Sequence, residues 1–488
     1  MIFEFYIMRL YNTLTKSKQE FKPLNKGKVS IYTCGPTVYD YIHIGNLRSF
    51  VTADILRRYL EYSGYEVRHI KNITDVGHLT QDDIAQADTG EDKIAKKALA
   101  EKKTPEEIAK FYTEAFHRDE DEMNILRAHY FPKATVHIPQ MIKIIKTLVK
   151  YGNAYEKNGN VFFDVTSFKD YGKLSGNTLD NLKVGALLEE HTDKKHPWDF
   201  ALWLKADPKH LLQWDSSWSR GYPGWHIECS AMSMEYLGNT MDIHTGGEDN
   251  IFPHHEAEIA QSECATGKKF VNFWVHTRHL LVEGEKMSKS KGNFYTPQDI
   301  TRKGFDPMHL RLLYLSSHYR KNLDFSWKAM EQAKANYKRI AEWVGKLKNT
   351  INQKTEPVNP DAEKDYSFKE QLIAPFESAM DDDLNTSLAL AQLFQVITIT
   401  NILLSDKAVG YKKAKEILEA FEKMNKVFGL KFPEKETEIP KVVKKLANER
   451  LAARKNKNFK KADELRKEIE KREYQIEDAD GSYKIKKL

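Results

Sequence analysis

Apolar residues from Val29 to Tyr32 form a short unbroken run, and the positions after it switch to helical spacing: Leu47, Phe50, Ile55, Leu56, Tyr59 and Leu60. A second run, Glu66 to Ile70, follows. Strand, helix and strand in this order predict a β-α-β unit of the doubly wound α/β type, built on a buried parallel sheet. Thr104-Pro105-Glu106-Glu107 predicts a reciprocally capped helix with proline in its first turn, running to about Met123. Between Arg127 and Leu212 the pattern breaks into short signals, with a strand predicted over Val161 to Val165, as expected of an insertion. Tyr222 to Ile259 returns to apolar runs and glycine turns, the second half of the same fold. Thr296-Pro297-Gln298-Asp299 opens another helix, and from Ser326 onward the pattern is helical almost throughout. Two polar, proline-containing stretches, Ile351 to Tyr366 and Phe432 to Pro440, read as linkers.

A chain of 488 residues exceeds one hydrophobic core and predicts three or four domains. No apolar stretch is read as approaching the ~20 residues that span a bilayer. Met1 to Met8 carries Glu4 and lacks the length and cleavage site of a secretory signal, and Met8 is an alternative start. Cys34, Cys229 and Cys264 are the three cysteines, too few for a disulfide framework and consistent with a reducing compartment. A cytoplasmic protein with no membrane partner is expected. The net charge of +6 is concentrated: residues 441–488 hold 16 Lys/Arg and 9 Asp/Glu, an excess of 7. A polyanion such as RNA fits that module, and a solvated lysine-rich helix fits it as well.

Two distant segments carry complementary chemistry. His43-Ile44-Gly45-Asn46 stands where the first strand gives way to the helix, and a helix N-terminus offers N–H groups and partial positive charge to phosphate. Lys286-Met287-Ser288-Lys289-Ser290 adds two cations and two hydroxyls suited to a pyrophosphate leaving group. A metal site is also on offer. A helix from about Pro253 puts His254 and Glu258 four residues apart on one face, and Cys34 and Cys229 supply thiolates. His255 and Cys264 compete as ligands, and a buried structural cysteine or a surface His/Glu pair explains the same residues without metal.

The chain resembles cysteinyl-tRNA synthetase, a class I aminoacyl-tRNA synthetase, along essentially its full length. The resemblance rests on Cys34-Gly35-Pro36-Thr37-Val38-Tyr39, His43 to Asn46, Gly224-Trp225-His226-Ile227-Glu228-Cys229, Asp242-Ile243-His244, Gly246-Gly247-Glu248-Asp249, Phe252 to Glu256 with Glu258, Lys286 to Ser290, and Met380-Asp381-Asp382-Asp383-Leu384-Asn385-Thr386. It implies a Rossmann-type parallel-sheet catalytic domain split by a connective insertion and followed by an α-helical C-terminal region. The expected divisions are 1–126 and 213–280 for the catalytic halves, 127–212 for the insertion, 281–340 for the KMSKS loop and stem-contact segment, 341–432 for a helical bundle and 433–488 for an anticodon-binding module.

The implied reaction activates L-cysteine with ATP and Mg2+, releases pyrophosphate and transfers cysteine to the 3′ end of tRNA(Cys). By the same resemblance His43, Asn46, Lys286 and Lys289 are catalytic, and Gly45, Gly246, Gly247, Asp249 and Lys289 bind ATP. Gly35, Thr37, Thr74, Trp225 and His244 face the amino acid, and Cys34, Cys229, His254 and Glu258 hold one Zn2+. A monomer is expected. Asn46 stands where the general signature has histidine, and Ser217, Ser219 and Tyr222 replace Pro, Gly and Arg in a loop expected near the substrate. Two alternatives stay in view: transfer of activated cysteine to a small-molecule amine, and a non-catalytic zinc and RNA-binding descendant.

Overall fold

The computed structural model describes residues 7–76, 92–178, 193–288, 292–358, 369–432, 440–456, 458–472, 474–479 and 482–487. It divides into two compact units, Met1–Leu430 and Lys431–Leu488. The catalytic sheet of the first unit is built from β1 (Lys28–Thr33), β2 (Glu66–Lys71), β3 (Met241–Gly247) and β4 (Val271–Thr277). All neighbours are parallel, in the order β4-β3-β1-β2, with Ile243 opposite Ile31 and Val29 opposite Val67. Three helices serve it: α1 (Ile44–Tyr62) after β1, α2 (Trp225–Leu237) before β3, and α3 (Glu256–Thr266) between β3 and β4. Val29, Ile31, Tyr32, Ile70 and Ile243 are buried, as the continuous apolar runs required.

Strand order reverses between β1 and β3, because β1 continues through α1 to β2 on one side while β3 arrives from far along the chain. A doubly wound sheet binds its ligands in the crevice at the carboxyl ends of the strands flanking that switch. Cys34 ends β1 there, and Gly246 and Gly247 end β3.

The insertion packs helix Ile138–Tyr151 beside an antiparallel five-stranded sheet ordered Ala154–Lys157, Asn160–Phe163, Phe200–Lys205, Arg220–Pro223, Trp214–Asp215. The strand expected to reach Val165 ends at Phe163, because the Asp164 carboxylate accepts from the Thr166 N–H and starts a turn. The loop expected to approach the substrate is a tight turn of this sheet: the Ser216 N–H donates to Ser219 O, and the Ser219 hydroxyl donates to Gly159 O.

Helices Trp327–Asn352, Ala374–Asp381, Thr386–Ser405 and Tyr411–Phe428 form the C-terminal part of this unit. Thr386–Ser405 has 20 residues and no charge, so by length and composition it could cross a membrane. This corrects the expectation that no such stretch exists. Here it is a bundle helix: Ala389, Leu393, Val396 and Ile397 are buried, and the buried Thr400 hydroxyl accepts from Trp343 Nε1 at 2.7 Å.

The second unit departs from the helical expectation. Helices Lys441–Lys455 and Phe459–Glu470 are followed by an antiparallel hairpin, Tyr474–Ala479 with Ser482–Lys487. Tyr474, Ile476 and Ile485 bury at the two-residue period of strands against Val443, Ala447 and Ile469, which overrides the lysine-rich, helix-favouring surroundings.

One buried cation joins four parts of the first unit. Arg311, on helix Pro307–Leu315, contacts Asp54 Oδ2 of α1 at 2.5 Å and donates to the carbonyls of Met123, Asn124 and Phe428. Both charged groups are fully buried. Truncating one partner of such a pair strands the other in a medium of low polarity, at a cost of about 3 kcal/mol or more. Arg311→Leu is therefore expected to lose about 3 kcal/mol in urea unfolding, and a midpoint equal to that of the parent would contradict this junction.

Candidate active site and metal centre

Four donor groups converge where β1 and β3 end. Cys34 leaves β1 with its N–H on Thr245 O at 3.2 Å. Cys229 lies in the second turn of α2, and His254 and Glu258 come from the chain entering α3 and from its first turn. Cys34 Sγ stands 3.8 Å from Cys229 Sγ and 3.8 Å from Glu258 Oε1, and His254 Nε2 is 3.1 Å from Glu258 Oε1. Two thiolates on a tetrahedral ion with Zn–S near 2.3 Å stand about 3.8 Å apart, so the spacing suits zinc. The four donor atoms lie within 4.8 Å of one another.

The electrostatics agree. Burial alone would raise the Cys229 thiol, yet hydrogen bonding to Cys34 and His254 brings it down to about 6. Burial disfavours charge on His254, but the Glu258 carboxylate and Cys229 lift it to about 10. Against the same burial, His244 and His254 hold Glu258 down to about 2. The cluster is thus a pair of anions around one proton-bearing imidazole, and a divalent cation can take over the neutralising role of that proton.

A second combination shares two of these groups. His255 Nε2 is 3.2 Å from Cys34 Sγ, and His244 Nε2 donates to Glu258 Oε2 at 3.0 Å, so Cys34, His244, His255 and Glu258 also meet the spacing for a metal. His255 therefore remains a geometric competitor, as the sequence suggested. Cys264 lies outside both groups, with its thiol pushed up to about 11 by burial. His226, His255 and His276 escaped the sequence reading as a network. His226 Nδ1 meets His254 Nδ1 at 3.0 Å, and His255 Nδ1 meets His276 Nε2 at 2.8 Å. Their only sequence signal is the crowding of five histidines between 226 and 276.

The expected amino-acid contacts sit around this cluster in unequal ways. The Trp225 ring stacks on His254 with centroids 4.3 Å apart and stays partly exposed. His244 is fully buried behind Glu258 against Trp274, so it faces the cluster and not open space. Thr37 bridges to Thr74 in parallel register. The Thr74 hydroxyl donates to Glu228 and accepts from Asn72, while the Gly35 N–H donates to Asn72 Oδ1 at 2.7 Å. The role of Glu228 was not foreseen: it is buried, raised well above the usual carboxyl range by that burial, and its Oε1 has no hydrogen-bond partner among the described residues.

At the nucleotide end the structure corrects one expectation. The first N–H groups of α1 are not open to phosphate: His43 Nδ1 accepts from Gly45 N–H at 3.0 Å and Asn46 N–H at 3.2 Å, and Ile44 N–H donates to Tyr295 O. The Asn46 Oδ1 accepts from the His43 N–H in return. With Nδ1 as acceptor the neutral imidazole carries its proton on Nε2, and Asn46 enters the cap through Oδ1 and its backbone N–H, not through its Nδ2 hydrogens.

Gly45 admits a close neighbour, since a Cβ there would lie 2.7 Å from Met287 Cε, so the two signature segments touch. Gly247 N–H donates to Asn250 Oδ1, and the Lys286 ammonium contacts Asp249 at 2.8 Å. Burial opposes charge on Asp249, but His279 and Lys286 hold it at about 2. Lys289 and Ser290 lie outside the described residues.

Residues 20–335 match the model described as tRNA synthetases class I (C) catalytic domain, and residues 375–433 match the DALR domain. A protein of Treponema denticola named cysteine–tRNA ligase is 43% identical over 99% of this chain and 100% of its own length. The chain belongs to the cysteine–tRNA ligase family. Relatives of the same name from Clostridioides difficile and Deinococcus radiodurans are 42% and 44% identical, covering 99% and 97% of this chain and 100% and 95% of their own. The fold is also that of a Mycobacterium tuberculosis methionyl-tRNA synthetase, with TM-score 0.57 at 12% identity over 82% of this chain and 89% of that one. Membership makes the protein an aminoacyl-tRNA synthetase, the Rossmann-like class I fold followed by a helical domain.

The approach of Gly35 to Asn72 is testable. A Cβ at Gly35 would stand 1.7 Å from Asn72 O, so alanine must part the end of β1 from the Asn72–Thr74 segment. Gly35→Ala is expected to lower cysteine-dependent ATP–pyrophosphate exchange by roughly 100-fold, the scale of an ångström misplacement. Parental exchange would show that the close approach is dispensable.

Proposed function

We propose that the protein activates L-cysteine as the adenylate and transfers it to tRNA(Cys), using a zinc at Cys34, Cys229, His254 and Glu258 to select the substrate. The observation that carries this reading is the convergence of two thiols, an imidazole and a carboxylate within 4.8 Å at the strand switch point. Zinc bound there supplies a soft Lewis acid that takes a thiolate in preference to a hydroxyl. Serine differs from cysteine by one atom, and ordinary pocket contacts separate such near-isosteres by only ~1–3 kcal/mol.

The chain's own residues supply the rest by position and charge. Trp225, stacked on His254, borders the space for the small side chain, and Thr37 and Thr74 fix the wall carrying Gly35. His43 Nε2 and Asn46 Nδ2 are the side-chain donors that the α1 cap itself does not use, and they suit the phosphates of ATP bound with Mg2+. Gly246 lets His255 and Asn250 pack against the end of β3, Gly247 keeps the backbone beside it uncrowded for ATP, and Asp249 suits the ribose or the substrate ammonium. Lys286, with Lys289, stabilises charge developing on the leaving pyrophosphate. No covalent enzyme intermediate is needed.

The match to a DALR domain and the basic composition of 441–488 support a tRNA acceptor over a small-molecule amine. The divisions at 126, 212, 280 and 432, a monomeric state and a cytoplasmic location belong to the same reading; the expected division at 340 falls inside the continuous helix Trp327–Asn352 and moves to its start.

Cys229→Ser and Cys264→Ser separate ligand from bystander. The first is expected to lose bound zinc and to lower exchange by roughly 100-fold or more, the second to stay within about twofold of the parent. Equal effects in metal analysis and exchange would sink the ligand assignment. Exchange without charging of purified tRNA(Cys) would favour the small-molecule alternative.

A further inference from the structure

Arg48 lies on α1 two residues beyond Asn46, and its side chain is buried. Its guanidinium faces a ring of backbone carbonyls and makes no carboxylate ion pair among the described residues: Nη1 donates to Arg278 O at 2.7 Å and His279 O at 2.8 Å, and Nη2 donates to Lys321 O at 2.6 Å and His318 O at 3.3 Å. Burial brings it down to about 10. Keeping a cation here is costly, and plain packing could be served by an apolar side chain of similar volume.

The four carbonyls explain the choice. Arg278 and His279 lead directly into strand Leu280–Val282, which pairs antiparallel with Glu285–Lys286, Leu281 opposite Lys286. His318 and Lys321 lead into strand Leu323–Phe325, the parallel neighbour of Leu280–Val282. Arg48 therefore grips the root of both strands that carry the Lys286 hairpin, while the same helix begins with the His43/Asn46 cap. A planar fork with several fixed N–H directions matches four carbonyls, and an ammonium on a flexible stem does not. Two further contacts tie the elements in the same sense: Tyr314 donates its hydroxyl to Ile44 O at 2.6 Å, and Met287 packs at Gly45.

From this geometry we propose that Arg48 is a positioning residue for adenylation: it fixes the reach of Lys286 relative to the phosphate-facing cap of α1. The proposal rests on the reading of Lys286 as a pyrophosphate ligand. Arg48 touches no substrate, and its effect passes through the three-stranded sheet.

A double-mutant cycle with Arg48→Lys and Lys286→Ala, read by ATP–pyrophosphate exchange on the full zinc-loaded chain below each variant's unfolding midpoint, tests this. Arg48→Lys alone is expected to lower kcat by roughly 100-fold while the KM for cysteine stays within about twofold. In the Lys286→Ala background the same change is expected to cost less than about threefold, because the group it positions is already gone. Arg48→Gln, which keeps two donors, is expected to show the same pattern with a smaller loss and replaces the lysine variant if that one fails to fold. An unchanged kcat, an equal loss in both backgrounds, or a parallel rise in the KM for cysteine overturns the positioning role. Should Lys286→Ala leave exchange untouched, the underlying reading of Lys286 falls, and the proposal with it.

Discussion

Buried negative charge at the end of the sheet is the constraint that the site depends on. Cys229, through Cys34 and His254, and Glu258, through His244 and His254, are held toward their anionic forms inside a region where isolated charge is costly, and a divalent cation can take over the neutralising role of the His254 proton. Each donor is placed by a different part of the catalytic fold: Cys34 by β1, Cys229 by α2, His254 and Glu258 by the chain around the start of α3. Cys34 and Cys229 are 195 residues apart, with the whole insertion between them, so the two catalytic halves must close on each other before the cluster exists. Folding of the catalytic domain and assembly of the cluster are for this reason one problem.

The nucleotide end is built on the same switch point with different means. Its elements are held by backbone hydrogen bonds and by contacts between the two signature segments. The His43/Asn46 cap consumes the N–H groups of Gly45 and Asn46 at the start of its own helix. Lys286 arrives on a hairpin whose root is bound to α1 through carbonyls. A single helix thus relates the His43/Asn46 cap to the hairpin lysine.

Local patterns were readable from the sequence wherever one segment decides its own structure. The runs at Val29 and Glu66, the caps at Thr104 and Thr296, and the helix after Ser326 all form close to where spacing and capping chemistry placed them. The terminal hairpin was not, because its two strands become stable only when Tyr474, Ile476 and Ile485 find Val443 and Ile469. Thr386–Ser405 was underestimated because threonines and glutamines interrupt its apolar residues without adding charge. The proposed ligand set rests on family resemblance and not on spacing, since His255 Nε2 stands nearer to Cys34 Sγ, at 3.2 Å, than Cys229 Sγ does, at 3.8 Å. Arg48 was invisible because a buried charge among carbonyls has no periodicity, and Glu228 stood in the Gly224–Cys229 motif without any sign of its contact with Thr74.

The central claim is that the metal centre meets the substrate thiol directly. Cobalt(II) in place of zinc reports it by its thiolate charge-transfer absorption. Adding L-cysteine to the cobalt-loaded protein should increase that absorption saturably while L-serine leaves it unchanged, because a new thiolate joins the ion only in the first case. No change with cysteine, or an equal change with serine, would contradict the account.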